Sequence, residues 1–293
     1  MPGKVLVLLM CLLLHLGSAS GYKHVVFVHG LLAGPSEFDY FIQLIQEYHP
    51  GTPVTNVDFF TYGCSFANIW KQVEDIAAEL KPVLTNETAE GTVLICFSQG
   101  GVICRGLLAT VPHNVVTFIS LSAPLAGQYG VINSFPWIPK FFKNVFGHLI
   151  YMLFYTSIGQ KCFSLANYWN DPHHRNLYRK HSSFLAVINN ETKQIDPRSQ
   201  EFKDNFLRVQ NIVLVGGPDD GVISPWQSSQ FATYDDEETV VPMNEQEWFT
   251  NDAFGLRTLS LSNKIYTHII PGIRHQEWHT KQTVFETCIK PWL

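Results

Sequence analysis

A short apolar run that ends in a serine constrains the fold of this chain more than any other feature. The run Thr92–Phe97 leads directly into Ser98, and Gln99–Thr110 then begins with a pair of glycines. Such a run between polar residues predicts a buried strand, and the segment after it has helical character. Glycines are needed where a strand and a helix approach closely. The sequence therefore predicts a strand, a tight turn that carries Ser98, and a helix packed close to the strand.

The same alternation of apolar strands and helices fills the first half of the chain and returns near its end. The remaining predicted strands are His24–Val28, Val54–Phe60, Val115–Leu121, Ile212–Val215 and Lys264–Ile270. The remaining predicted helices are Phe38–Tyr48, Ile69 to about Leu80 with Asn68 as its N-cap, and Gln282–Ile289. Strands that alternate with helices predict a mostly parallel sheet with helices on both faces.

The alternation stops between about residue 124 and residue 205. Aromatic residues and prolines are frequent there, as in Phe135-Pro136-Trp137-Ile138-Pro139. Because structureless loops of this length are uncommon, we expect an inserted cap with helices of its own. The predicted organisation is a single domain over 21–293 that carries a cap insertion over about 124–205.

The first twenty residues have the pattern of a secretory signal peptide. A positive charge near Met1 precedes the apolar run Val5–Leu16, and the small residues Ser18-Ala19-Ser20 follow. The sequons that begin at Asn86 and Asn190 agree with passage through the secretory pathway, where they predict glycosylation. No later apolar stretch reaches the ~20 residues that a transmembrane helix needs, so we expect no transmembrane segment in 21–293.

Charge and histidine spacing argue against several classes of partner. The net charge is −5, with no cluster of Lys and Arg, so nucleic acid is not expected as a partner. His173-His174 and the pair His275 and His279 lack a set of companion ligands, so we expect neither a metal nor a cofactor. The sequence carries no signal for an oligomeric state.

Ser98 stands in the context of a nucleophile elbow. The usual elbow is Gly-x-Ser-x-Gly, and here Cys96, a small residue, replaces the first glycine. A serine at this position could also be a simple helix cap. A nucleophilic serine in an α/β-hydrolase fold requires a carboxylate and then a histidine later in the chain.

Both partners follow predicted strands. Asp219 and Asp220 come after Ile212–Val215, and His275 comes after Lys264–Ile270. The carboxyl ends of parallel strands share one edge of the sheet, so these side chains are expected near Ser98. The aspartates could equally be ordinary turn residues. His279 is a second candidate base, and we expect it to be a surface histidine.

The backbone around two of these turns predicts an oxyanion hole. One donor would be the Gln99 N–H, directly after the serine, and the other the Leu31 N–H, in the loop after the first strand. His29 is expected to shape that loop and not to act as a base.

Five segments together resemble the palmitoyl-protein thioesterase family. They are Val26-Phe27-Val28-His29-Gly30, Cys96-Phe97-Ser98-Gln99-Gly100-Gly101, Asn167-Tyr168-Trp169-Asn170-Asp171-Pro172-His173-His174, Gly216-Gly217-Pro218-Asp219-Asp220-Gly221 and Pro225-Trp226-Gln227-Ser228-Ser229. The resemblance runs from about Tyr22 to Leu293. It implies an α/β-hydrolase fold with Ser98 as nucleophile, His275 as base, and Asp220 in preference to Asp219 as the acid.

The resemblance also bears on the cysteines. One branch of the family has Cys at the first elbow position, and it implies a disulfide between Cys96 and Cys104. Ala166 and His268 stand where two further cysteines of that branch are expected. The states of Cys64, Cys162 and Cys288 stay open.

The function that the resemblance implies is a lysosomal serine thioesterase. It would hydrolyse long-chain fatty-acyl thioesters, palmitoyl-CoA or S-palmitoyl groups, through an acyl-enzyme, and that branch favours acyl-CoA-like or small thioesters. The aromatic cap could bind the acyl chain, or its aromatics could fill a core of their own. A lipase or carboxylesterase and a catalytically silent lipid-binding protein on the same fold are the alternatives.

Overall fold

A computed structural model describes residues 21–86, 90–130 and 149–293 of the chain. The predicted signal peptide and the aromatic segment Phe135-Pro136-Trp137-Ile138-Pro139 lie outside the described residues.

The centre of the protein is a parallel sheet of six strands. In chain order these are β1 His24–Val28, β2 Val54–Asn56, β3 Thr92–Phe97, β4 Val115–Leu121, β5 Asn211–Gly216 and β8 Ile265–Ile269. Their order across the sheet is β2-β1-β3-β4-β5-β8. Two short strands, β6 Thr233–Tyr234 and β7 Val240–Val241, form a separate antiparallel hairpin that the sequence pattern does not predict.

Helices flank the sheet and fill the connections. Those of the sheet layers are α1 Asp39–Tyr48, α2 Ile69–Leu84, α3 Gln99–Thr110, α9 Ser199–Phe206 and α12 Gln282–Val284, which continues as a π-helix over Phe285–Ile289. The others are α4 Tyr151–Phe154, α5 Ser157–Cys162, α6 Ser164–Asn167, α7 Arg175–His181, α8 Leu185–Ile188, α10 Glu247–Thr250 and α11 Leu256–Leu261. The Asn68 side chain accepts hydrogen bonds from the Trp70 and Lys71 N–H groups, which confirms the predicted N-cap.

Alternate residues of each strand face two separate hydrophobic cores. Val26 and Leu94 belong to the core that also contains residues of α2, α3 and α9. Val25 and Val93 belong to the other core, which contains residues of α1 and of the C-terminal helical turn. Because both faces of a parallel sheet are buried, its strands read as continuous apolar runs. The predicted parallel sheet with helices on both faces is confirmed, and the architecture is that of an α/β-hydrolase.

The second strand is shorter than predicted. It ends at Asn56, although the Val57 N–H still donates to the Phe27 carbonyl at 3.0 Å. Phe60 then takes a positive φ of 56°. A residue with a positive φ cannot continue an extended strand, so the backbone turns away from the sheet at Phe60.

Between β4 and β5, the described residues contain the helices α4 to α9. We propose that α4 to α8 form the predicted cap, whereas α9 packs with the helices of the sheet. Trp169 packs against Tyr129 and Phe154, with ring centroids 5.6 and 5.4 Å apart. These rings are buried against one another, as in the alternative in which the aromatics fill a core of the cap itself. Within the described ranges, no helix is long and apolar enough to cross a bilayer.

Candidate active site

Ser98 occupies a strained turn between β3 and α3. Its φ is 52° and its ψ is −126°, a conformation that non-glycine residues adopt rarely. A Cβ atom at Gly100 would lie 2.3 Å from the Val28 carbonyl oxygen, and one at Gly101 would lie 2.4 Å from the Cβ of Ala123. The two glycines therefore allow α3 to start directly against the neighbouring strand ends, and this contact fixes the turn that presents Ser98.

The turns after three strands bring Ser98, His275 and Asp220 together. Nε2 of His275 lies 2.9 Å from the Ser98 Oγ, and Nδ1 of His275 lies 2.8 Å from the Asp220 Oδ2. All three residues are buried, with Ser98 at 9 % the most exposed. This is the geometry in which a histidine accepts a serine proton while a carboxylate orients its ring.

Asp220 is held by more donors than the histidine alone. Its Oδ2 also accepts hydrogen bonds from Trp278 Nε1 at 2.7 Å and from the Ser122 hydroxyl at 2.5 Å. Its Oδ1 accepts the N–H groups of Val222 and Ile223. Burial by itself would raise the pKa of Asp220, but the bonds from His275, Ser122 and Ile223 outweigh burial, and the pKa lies below its ordinary value. The carboxylate therefore stays ionised to lower pH than an ordinary aspartate does.

The sequence pattern does not predict the hydrogen bonds that Trp278 and Ser122 donate to Asp220. Trp278 follows His275 by three residues, and the short 3₁₀ turn His275–Glu277 brings its indole back towards Asp220. Ser122 directly follows β4, the strand that neighbours β3 and β5, and that position at the carboxyl edge of the sheet is the signal that could have identified it.

Asp219 and His279, the alternative candidates for the acid and the base, form no hydrogen bond with Ser98, His275 or Asp220 among the described residues. Asp219 is exposed, and its Oδ2 accepts the Gly272 N–H at 2.7 Å. The prediction of a surface position for His279 is wrong, because the turn after His275 returns the chain to the core. The His279 ring packs on Phe97 and Phe38. Burial lowers the pKa of His279 to about 4.

The loop after β1 contains Leu31, whose N–H is one of the two donors predicted for an oxyanion hole. The Leu31 N–H has no hydrogen-bond partner among the described residues, whereas the adjacent Gly30 N–H donates to the Glu37 Oε2 at 3.0 Å. The ring of His29 lies 2.9 Å from the Gly30 carbonyl oxygen and 3.0 Å from that of Phe59. His29 therefore has the loop-shaping contacts expected of it and lies outside the Ser98–His275–Asp220 group.

Ser65 links the two backbone segments predicted to donate to an oxyanion. Its hydroxyl accepts the Leu32 N–H at 2.8 Å, and its carbonyl accepts Nε2 of Gln99 at 2.7 Å. The hydroxyl of Tyr168 donates to the other end of the Gln99 amide, Oε1, at 3.1 Å. Burial raises the pKa of Tyr168, so its hydroxyl keeps the proton that it donates. Ser65 carries no sequence signal, since it lies in the short 3₁₀ helix Tyr62–Phe66 before α2, which the sequence pattern does not predict.

The cysteines and sequons occupy different environments. Cys96 and Cys104 form a disulfide that spans the elbow, while Cys64, Cys162 and Cys288 are free thiols. Of the two positions that lack an expected cysteine, Ala166 is buried and His268 lies on the edge strand β8. Asn86 is exposed. Asn190 is partly buried with a φ of 57°, a conformation that Asn tolerates better than most residues.

Two cavities in the described residues lie away from Ser98. They have volumes of about 380 and 560 Å³ and share Pro172, Arg175 and Asp236 in their walls. The two arginines that line these cavities are already paired, Arg175 with Glu191 at 2.5 Å and Arg179 with Glu247 at 2.9 Å. Within the described part of the chain, no group of three or more His, Cys, Asp or Glu side chains is placed to hold a metal ion.

Comparisons with known proteins point to one family. The family model described as palmitoyl protein thioesterase matches residues 24–275. Lysosomal thioesterase PPT2 of Homo sapiens is 45 % identical over 94 % of this chain and 89 % of its own length. Lysosomal thioesterase PPT2-B of Xenopus laevis is 43 % identical over 99 % and 98 %. Among solved structures, the monoacylglycerol lipase of Paleococcus ferrophilus is 16 % identical, with a TM-score of 0.48 over 91 % of this chain and 92 % of that one.

Proposed function

Because the chain belongs to the palmitoyl protein thioesterase family, we propose that it is a serine thioesterase that hydrolyses long-chain fatty-acyl thioesters. The observation that carries the proposal is the hydrogen-bonded series from Ser98 Oγ through His275 to Asp220, with distances of 2.9 and 2.8 Å. The family supplies the class of substrate, and this series supplies the means of activating a serine.

Acylation begins with transfer of a proton. His275 receives a hydrogen bond at Nε2 from Ser98 and donates one from Nδ1 to Asp220, so its neutral form is the tautomer that can accept the serine proton. As Nε2 takes that proton, Ser98 Oγ bonds to the acyl carbon. The carbonyl oxygen becomes an oxyanion, which the N–H groups of Leu31 and Gln99 stabilise. Losing one such donor typically costs about 3–4 kcal/mol of transition-state stabilisation.

The acyl-enzyme forms when the carbon–sulfur bond breaks. The imidazolium of His275 returns its proton to the leaving thiolate, and the acyl group remains as an ester on Ser98. Water then donates a proton to His275 while its oxygen attacks the ester, and the fatty acid leaves as Ser98 recovers its proton. A thiol, with an ordinary pKa of about 8.5, leaves more readily than an alcohol and demands less of the general acid.

We propose palmitoyl-CoA or an S-palmitoyl group as the substrate. Both present a long apolar chain, and burial of each methylene contributes up to ~0.8 kcal/mol to binding. Several apolar side chains of the proposed cap are exposed and could contact such a chain, namely Leu149, Met152, Leu153, Ile158 and Phe163.

We further propose that the mature chain functions in the lysosome after removal of residues 1–20. The relatives of Homo sapiens and Bos taurus are both named lysosomal thioesterases. The depressed pKa of Asp220 agrees with such a compartment, because the carboxylate then remains available to His275 at acidic pH.

Hydrolysis of palmitoyl-CoA by residues 21–293, compared with the Ser98→Ala variant, tests the proposal. We expect activity to fall by several orders of magnitude in the variant, because the nucleophile is lost. A palmitoyl oxygen ester of equal chain length is the matched substrate, and a fluorophosphonate that labels reactive serines reports on the nucleophile itself. Cleavage of the oxygen ester alone would refute the thioesterase assignment. Failure to label Ser98 would refute the catalytic assignment altogether.

A further inference from the structure

A second buried pair of a carboxyl and an imidazole lies behind the candidate active site. The ring of Phe97 contacts both histidines, with centroid distances of 4.8 Å to His275 and 4.9 Å to His279. Nε2 of His279 in turn lies 3.5 Å from the Glu37 Oε1, a contact between neighbours, since neither ring nitrogen of His279 has a hydrogen-bond partner among the described residues. The two side chains are only 10 % and 7 % exposed, and the proposed mechanism uses neither of them.

Glu37 reaches the proposed oxyanion hole through one backbone hydrogen bond. Its Oε2 accepts the Gly30 N–H at 3.0 Å. Gly30 directly precedes Leu31, and a Cβ atom on Gly30 would lie 3.1 Å from the Ser98 Cβ. The carboxyl group therefore holds the backbone that lies between the serine and one of the proposed oxyanion donors.

We propose that Glu37, paired with His279, is a positioning residue for the oxyanion loop and that this pair must be uncharged for full activity. The inference rests on the proposed function of Ser98 and adds a regulation of the same site by pH. Glu37 touches no reacting atom and acts through the Gly30 and Leu31 backbone.

The chemistry of the pair supports an uncharged state in acidic surroundings. Burial raises the pKa of Glu37 to about 7, although the Gly30 hydrogen bond opposes the rise. Burial also lowers the pKa of His279 to about 4. Between these values the carboxyl keeps its proton and faces a neutral imidazole. The protonated group still offers an oxygen to the Gly30 N–H, so the loop remains fixed.

Ionisation of Glu37 makes the electrostatic potential at the proposed oxyanion hole more negative. Above about pH 7 a buried negative charge appears next to the loop on which a second negative charge must develop, and the two repel each other strongly in such a setting. Two other titratable groups lie nearby. His29 bonds to the Gly30 carbonyl, and His275 lies across Phe97. Within the described ranges, no Lys or Arg forms an ion pair with Glu37 that would offset this charge.

The test compares pH profiles of kcat/KM for palmitoyl-CoA between pH 4.5 and pH 9. Glu37→Gln keeps the shape of the side chain and an oxygen for Gly30 but has no charge at any pH. We expect the wild type to lose activity above about pH 7 and Glu37→Gln to keep it, so that their ratio changes at least tenfold between pH 5.5 and pH 8.5. Glu37→Ala, which has no acceptor for Gly30, should be about tenfold less active at every pH.

Glu79→Gln provides the matched control, since Glu79 is an exposed glutamate on α2. Its profile should follow that of the wild type. Superimposable profiles of Glu37→Gln and the wild type would overturn the inference, as would an undiminished Glu37→Ala variant. The rate of Ser98 labelling by a fluorophosphonate, measured over the same pH range, separates this inference from the substrate assignment. If thioesters are not cleaved but labelling shows the expected difference, the substrate assignment fails and the role of Glu37 stands.

Discussion

Two acid–histidine pairs contact Phe97 through their imidazole rings, and the pKa values of their carboxyl groups are shifted in opposite directions. Asp220 accepts hydrogen bonds from three side chains and two backbone N–H groups. Glu37 accepts one backbone N–H, and its imidazole neighbour lies at 3.5 Å. Both carboxyls are buried, yet the pKa of Asp220 lies below its ordinary value whereas that of Glu37 is raised to about 7.

The comparison shows that burial alone does not decide the charge of a carboxyl group. Desolvation raises both pKa values, and the hydrogen-bond donors around each group decide the outcome. Five donors keep Asp220 ionised beside His275, where a cation forms during the proposed reaction. One donor leaves Glu37 neutral in acidic surroundings, where a charge would oppose the oxyanion.

Removing the charge from the Asp220 pair should have the largest effect. Asp220→Asn keeps the shape but cannot stabilise the imidazolium, and its amide favours the wrong tautomer of His275. We expect kcat to fall by about 10³–10⁴-fold. Steady-state hydrolysis of palmitoyl-CoA measures the loss. Asp219→Asn is the control, because Asp219 is exposed and its carboxylate has a loop N–H, that of Gly272, as its hydrogen-bond donor among the described residues. A loss shared equally by both variants would contradict the assignment of Asp220.

Removing the charge from the Glu37 pair should instead stabilise the fold. A carboxyl whose pKa rises from 4.5 to about 7 on folding weakens the folded state as pH increases through that interval. Glu37→Gln should therefore raise the free energy of unfolding by up to about 3 kcal/mol at pH 8 and leave it unchanged near pH 4. Urea denaturation at the two pH values measures the difference. An equal change at both would show that the effect is not one of ionisation.

Removing a single donor from Asp220 should have the smallest effect. In Ser122→Ala one of the bonds that lower the pKa of Asp220 is lost while burial, which raises it, remains, so the pKa rises and more of the carboxylate is protonated in acid. We expect kcat/KM to fall about tenfold, ~1.4 kcal/mol, with a greater loss at pH 4.5 than at pH 7. Ser120→Ala is a suitable control, since the Ser120 hydroxyl is buried on β4, two residues before Ser122, and has no hydrogen-bond partner among the described residues. A uniform loss across pH would assign Ser122 a purely structural role.

The sheet and the elbow could be predicted from the sequence because local signals agree with tertiary packing there. The bounds of β3 and α3 agree with the prediction. Every residue of the strand is buried, and the glycines after Ser98 stand where a larger side chain would collide with the neighbouring backbone or side chains. The order of strand-end residues also brought Asp220 and His275 to the same edge of the sheet as Ser98.

The Glu37 pair could not be predicted, for physical reasons. A glutamate in a polar turn is expected in solvent, and nothing local indicates that His279 folds back onto it. The two residues meet because the turn after β8, far along the chain from the 3₁₀ turn Pro35–Phe38, packs the His279 ring against both Phe38 and Phe97.

The position of β8, late in the chain and at the edge of the sheet, has a consequence during synthesis of the protein. Ser98 and His275 are separated by 177 residues, and the strand that delivers the histidine is added at the edge of the sheet. A growing polypeptide thus contains Ser98, the proposed nucleophile, long before it contains His275, the proposed base. If the proposed mechanism holds, the unfinished chain should be inert towards acyl groups during synthesis, and hydrolysis should begin only when β8 has joined the sheet.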